Sequence, residues 1–158
     1  ADDGDVAWAG IGQYTDQVSA YAFMRFMGVI GGGGEAAEPY LMASIQKGEK
    51  TTYTAKRSST GRILEEATAK KLTEMMRYNV ENIYGAWQFG DLNVCAKSGT
   101  AEQEGKSAHA TFAGFIRDDD YPLAFVVAVE NGGYGAAACV PILSVVLSEC
   151  KAVMDAFS

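Results

Sequence analysis

Histidine and cysteine are scarce in this 158-residue chain, and their scarcity excludes most metal and disulfide chemistry. His109 is the only histidine, so a zinc site, which draws on several Cys and His ligands, is not expected. Cys95, Cys139 and Cys150 are odd in number and lack metal-ligand spacing. Cys95 sits in an apolar run and reads as a small buried hydrophobe. Basic residues are outnumbered 13 to 20, giving a net charge of −7. Nothing suggests a phosphate-binding surface, which excludes nucleic acid as a partner class. A placed lysine could still attract a small anion locally. No apolar run reads as long enough to cross a membrane, and no basic-then-apolar pattern marks a secretion signal. Internal repeats are absent.

What is present is a globular composition, 48% hydrophobic and 21% charged. The length suffices for one domain with a real core. Ala1-Asp2-Asp3-Gly4-Asp5 is polar and reads as frayed. A first helix is expected from Thr15 to about Met27, apolar almost all round and therefore central, ended by Gly31–Gly34. Pro39 leads into two short strands, Tyr40–Gln46 and Thr51–Lys56, that can pair as a hairpin. A second helix is expected from Glu65 to Asn82, with Ala69, Leu72, Met76 and Val80 at helical spacing. Gly85 and Gly90 bracket a loop. Three strands follow, Val94–Ser98, His109–Ile116 and Leu123–Glu130. Their short connections imply an antiparallel meander. The third is apolar on both faces, so it reads as a central strand. A last helix, from about Ala136 to Phe157, is expected to pack on the sheet.

The most informative residues are Lys97-Ser98-Gly99-Thr100, at the end of the first of those three strands. A lysine there supplies a positive field, and a neighbouring hydroxyl donates a hydrogen bond to an anion. Glycine lets a substrate backbone approach closely. The amide of Thr100 can donate to a developing oxyanion. At a sheet edge such a strand can also accept a peptide by strand pairing. The tripeptide alone is weak, because Lys-Ser/Thr-Gly arises by chance in about one chain in ten of this length.

Its context is specific. Ala9-Gly10-Ile11-Gly12-Gln13 precedes the helix start at Thr15. Gly31–Gly34 leads into Glu38-Pro39-Tyr40-Leu41. Ala96–Glu102 contains the Lys-Ser-Gly strand. His109–Phe115, Val126–Glu130 and Asn131-Gly132-Gly133-Tyr134-Gly135 complete the series. In order and spacing these blocks resemble the C-terminal half of the transpeptidase domain of penicillin-binding proteins, of the monofunctional class B type. Asp16 and Gln17-Val18 depart from that family's Thr-Pro-Leu-Gln helix start.

The resemblance implies an α+β fold, an antiparallel sheet flanked by helices, with residues 1–158 forming one partial domain. It implies that Lys97 and Ser98 bind the carboxylate of a peptidoglycan stem peptide or a β-lactam, in roles that support catalysis. Gly99 would keep the strand surface open, and Thr100 would lend its N–H to the oxyanion hole. His109 is expected to be structural. No metal or organic cofactor is implied. The parent would be a D,D-transpeptidase that cross-links peptidoglycan through an acyl-serine, on the extracytoplasmic face of the bacterial cytoplasmic membrane, with no signal or anchor expected in this chain.

Two signatures that the family places before the Lys-Ser/Thr-Gly strand do not occur. Ser-x-Asn is absent. Ser-x-x-Lys occurs twice, at Ser44–Lys47 and Ser148–Lys151. Composition alone predicts about 0.5 such matches, and both fall in the wrong place. The nucleophile is therefore expected in an N-terminal half of the domain, as a partner of this chain, and the chain alone is expected to be inert. Two rivals remain at this level. One is a module that binds peptides or muropeptides without turning them over. The other is a β-lactamase or β-lactam sensor fragment, although the Gly12-Gln13 block and the short connection into Ala108–Phe115 look more like the transpeptidases.

Overall fold

Three antiparallel strands carry the molecule, and helices cover both of their faces. The structure, a computed structural model, describes residues 3–10, 12 and 17–157. The sheet is built from β3 (Val94–Gln103), β4 (Lys106–Ile116) and β5 (Ala124–Val129), in that spatial order. The register pairs Lys97 with Ala113, Ser98 with Phe112 and Gly99 with Thr111. Phe112 in turn faces Val127 on β5. The meander is therefore as expected, but the place of the third strand is not. β4 is central, and among the described residues β5 pairs with β4 alone. The apolarity of β5 on both faces has another cause: α2 packs on one face and α4 on the other.

The helices follow from their end signals. α1 spans Asp3–Gly10, so the polar start at Asp3 is helical, with acidic residues in the first turn where the helix dipole favours them. The expected Thr15 cap and the Gly12-Gln13 turn fall largely outside the described residues. α2 runs Ala20–Gly31, and Ser19 caps it by accepting from the Ala22 amide at 3.1 Å. It ends in a Schellman turn, in which Gly34 N–H donates to Val29 O at 2.8 Å and Gly33 N–H to Ile30 O at 3.2 Å. Gly33 has φ +71°, which a side chain would strain. The hairpin is β1 (Ser44–Lys47) with β2 (Lys50–Thr54), and both strands are exposed.

α3 covers Glu66–Asn79 and continues as one π-helical turn, Val80–Tyr84. The Gly85 amide closes that wider turn by donating to Val80 O at 3.0 Å. A short 3-10 turn, Ala86–Phe89, leads to the sheet. α4 runs Gly135–Phe157.

Two cores result, one on each side of the sheet. Val94, Ala96, Ala110, Phe112 and Phe125 pack against Cys139, Val140, Leu143 and Leu147 of α4. Cys95, Ala113 and Phe115 pack against Met27 and Ile30 of α2 and Met76 of α3. Each large side chain buried this way contributes about 1.5–3 kcal/mol. The expectation that no apolar run reaches membrane-spanning length is corrected by α4. Its 23 residues are long and apolar enough to cross a membrane by length and composition. One face of that helix packs on the sheet as core, whereas Ile142, Val145, Val146 and Val153 on the rest of its surface are exposed.

Candidate functional site

The outer edge of β3 is divided by what covers it. Strand residues alternate in the direction of their N–H and C=O groups, so Val94, Ala96, Ser98 and Thr100 aim theirs alike. Arg77, at the end of α3, donates through Nη1 to Val94 O at 3.1 Å and through Nε to Glu81 at 2.8 Å. Tyr84, at the end of the π turn, accepts from the Ser98 amide at 3.0 Å. These two bonds show that this set of backbone groups faces away from β4. They also bring α3 and its extension along the first half of the edge, up to Ser98. The alternation aims the Thr100 amide to the same side.

The four expected residues therefore cluster at one strand edge, each held differently. Lys97 is exposed, and its ammonium donates to Ser98 O at 2.5 Å, at the edge itself. The Ser98 hydroxyl lies 3.0 Å from the Tyr84 phenol oxygen. Gly99 faces Thr111, and a Cβ there would sit 2.4 Å from Thr111 Oγ1. Thr100 Oγ1 accepts from the Gly135 amide, the first of α4, at 3.1 Å. Gly135 is itself pressed on the sheet, since a Cβ there would lie 2.3 Å from Gly99 O and 3.0 Å from Thr111 O. Beneath this edge Cys95 is fully buried, and burial pushes its thiol up to about 11, against the nearby Arg77 and Arg117 charges.

His109 stands apart. Its Nδ1 accepts from the Asn131 amide at 3.0 Å, and its other nitrogen meets the Gln103 side chain. The ring thus ties the β3–β4 end to the turn after β5, where Asn131 holds φ +53°. The two Ser-x-x-Lys matches lie elsewhere. Ser44 and Lys47 are exposed on the hairpin. Ser148 is exposed on α4, and Lys151 is engaged with Tyr121 and Asp155 at 2.9 Å each.

Sequence reasoning missed Tyr84, Arg77 and Gly135. Gly135 lay within the last of the family-like blocks, with no role attached. Tyr84 had no signal: helical spacing does not anticipate a π turn, and that turn decides where the phenol lands. Among the described residues no group of three or more His, Cys, Asp or Glu side chains could hold a metal ion.

The layered fold, with a Lys-Ser-Gly-Thr strand at one side, is that of the penicillin-interacting transpeptidases. The sequence profile of the penicillin binding protein transpeptidase domain matches residues 3–148, and the chain belongs to that family. Among solved structures it is similar to penicillin-binding protein A from Mycobacterium tuberculosis, at 25% identity and TM-score 0.84, over 93% of this chain and 37% of that one. The ceftriaxone acyl-enzyme complex of that M. tuberculosis protein is similar at 26% identity and TM-score 0.84, over 93% of this chain and 35% of that one. The D,D-transpeptidase domain of a peptidoglycan glycosyltransferase from Eggerthella lenta shares the fold, at 20% identity and TM-score 0.78, over 91% of this chain and 38% of that one. The chain thus spans about a third of the length of the solved structures it matches. No curated protein sequence matches it.

Proposed function

We propose that this chain supplies one side of the active site of a peptidoglycan D,D-transpeptidase, the side that binds the ligand's carboxylate and polarises its carbonyl. The observation that carries the reading is the edge of β3, where Lys97, Ser98 and Thr100 follow one another at and just past the residue that Tyr84 contacts. The Lys97 ammonium and the Ser98 hydroxyl offer a charge and a directed donor to a stem-peptide or β-lactam carboxylate. The Thr100 amide offers a donor to the carbonyl oxygen as it takes on negative charge. Gly99 leaves the strand face low between them.

Chemistry then needs a serine oxygen from outside residues 1–158, which together form a partial domain. That oxygen bonds to the ligand's carbonyl carbon, the carbon–nitrogen bond breaks, and the amine leaves with a proton. The acyl-serine is resolved by a second stem-peptide amine. Without the nucleophile the present residues bind but do not turn over. An enzyme acting on cell-wall peptide works on the extracytoplasmic side of the bacterial membrane, and that is the location proposed for the parent protein.

Binding tests the reading without requiring turnover. An N-acetylated peptide ending in D-alanyl-D-alanine, titrated into the chain, should shift the amide resonances of residues 97–100. Lys97→Ala should weaken that binding about tenfold or more, as loss of a charge-assisted contact does. A titration that leaves residues 97–100 unmoved counts against the reading.

A further inference from the structure

We infer that Tyr84 is a positioning residue for the carboxylate site, orienting the Ser98 hydroxyl so that its proton points to the ligand. The inference rests on the carboxylate-binding role proposed above. It starts from a count of protons. The phenol oxygen of Tyr84 lies 3.0 Å from the Ser98 amide nitrogen and 3.0 Å from Ser98 Oγ. The amide can only donate, so the phenol oxygen accepts from it. In the second contact either oxygen could donate; the phenol oxygen already accepts once, which favours sending its own proton to Ser98 Oγ. With that bond made, Oγ has accepted one hydrogen bond, and its own proton is turned away from Tyr84. A serine hydroxyl otherwise rotates to suit its surroundings. Here the phenol fixes it as a donor before a ligand arrives.

The surroundings of Tyr84 make it rigid enough for this task. Its ring meets Phe112 edge-on, with centroids 5.0 Å apart and planes at 74°. Phe112 is fully buried and stacks on Phe89 and Phe125. The Tyr84 carbonyl accepts from Gln88 Nε2 at 2.5 Å. The π turn brings the phenol to Ser98, because the i to i+5 closure between Val80 and Gly85 sets where residue 84 points. π turns of this kind occur often at functional sites. Phe112 is also the β4 partner of Ser98, so ring and hydroxyl share one face of the sheet.

The test is Tyr84→Phe in the full chain, with two independent readouts. The first needs no ligand. The Ser98 amide loses its acceptor, so its hydrogen exchange should quicken at least tenfold, whereas the Lys97 and Gly99 amides, on the β4 side, should keep their rates. The second is discrimination between two probes, an N-acetylated D-alanyl-D-alanine peptide and the same peptide with a C-terminal carboxamide. Tyr84→Phe should lower the preference for the carboxylate about tenfold. A merely structural phenol would leave that ratio as it was. Unchanged Ser98 exchange overturns the inference, and so does faster exchange with an unchanged ratio. If the unmutated chain prefers neither probe, the carboxylate-site reading fails and takes the inference with it. The exchange result still reports whether the Tyr84–Ser98 contact exists, so the two failures are told apart.

Discussion

At the scale of single residues, environment rather than residue type decides what each group does. Cys95 and Lys97 sit two apart on β3 with opposite fates. One lies in the core between sheet and helices, and the other reaches solvent at the strand edge. Burial holds the Cys95 thiol at about 11, so almost none of it is the reactive thiolate at neutral pH. Cys139 is also buried, and burial raises its thiol in the same direction. Cys150 is only partly buried. A maleimide added to the native chain at pH 7.5 should therefore label Cys150 first, with Cys95 and Cys139 reacting only on unfolding. Peptide mapping of the labelled protein reads this directly, and early labelling of Cys95 would contradict the packing described. Gly99 illustrates the same point. A methyl there would meet the side chain of Thr111, on the neighbouring strand, rather than backbone.

At the scale of elements, α4 ties the two ends of the sheet together. Its first residue, Gly135, abuts backbone atoms of β3 and β4 and donates to Thr100. Gly135→Ala should destabilise the chain by about 1–3 kcal/mol, since backbone cannot rotate aside as a side chain can. Chemical denaturation measures it. The far end of α4 is clasped to the β4–β5 turn. Tyr121 donates to Asp155 at 2.6 Å, and Lys151 donates to both. The Tyr121 hydroxyl, then Lys151, holds the Asp155 carboxyl below the usual carboxylate range. Tyr121, then Asp155, holds Lys151 above the usual lysine range. The contribution of Asp155 is therefore present above its ordinary pKa of about 3.9 and lost as pH falls through its lowered native value. That of Lys151 is present below about 10.4 and lost at more alkaline pH. Asp155→Asn should lower the melting temperature slightly at pH 7, and the difference should narrow as the pH is brought well below the ordinary carboxylate range. Much of this level was legible in the sequence. Gly31–Gly34 announced the end of α2, and the three-strand meander followed from its short connections. The order of strands was not legible, because an apolar strand covered by helices on both faces has the same pattern as a central one. The π turn was not legible either, and with it went the placement of Tyr84.

At the scale of the whole molecule, the proposed ligand-binding edge lies on β3, whereas the two Ser-x-x-Lys serines lie on other elements, Ser44 on the hairpin and Ser148 on α4. Lys97, Ser98, Gly99 and Thr100 could be read from the sequence because their motif is local. What meets that strand could not, because Tyr84, Arg77 and Gly135 come from other elements. β5 leaves an edge without a partner among the described residues, and part of the α4 surface is apolar and exposed. Both suit a piece spanning about a third of its structural relatives. The most direct test of the account is the intact mass of the purified chain after incubation with a large excess of benzylpenicillin. An unchanged mass is expected, because neither Ser44 nor Ser148 stands at the β3 edge. A stoichiometric penicilloyl adduct mapping to either serine would contradict it and mean that the chain holds a complete acylation site.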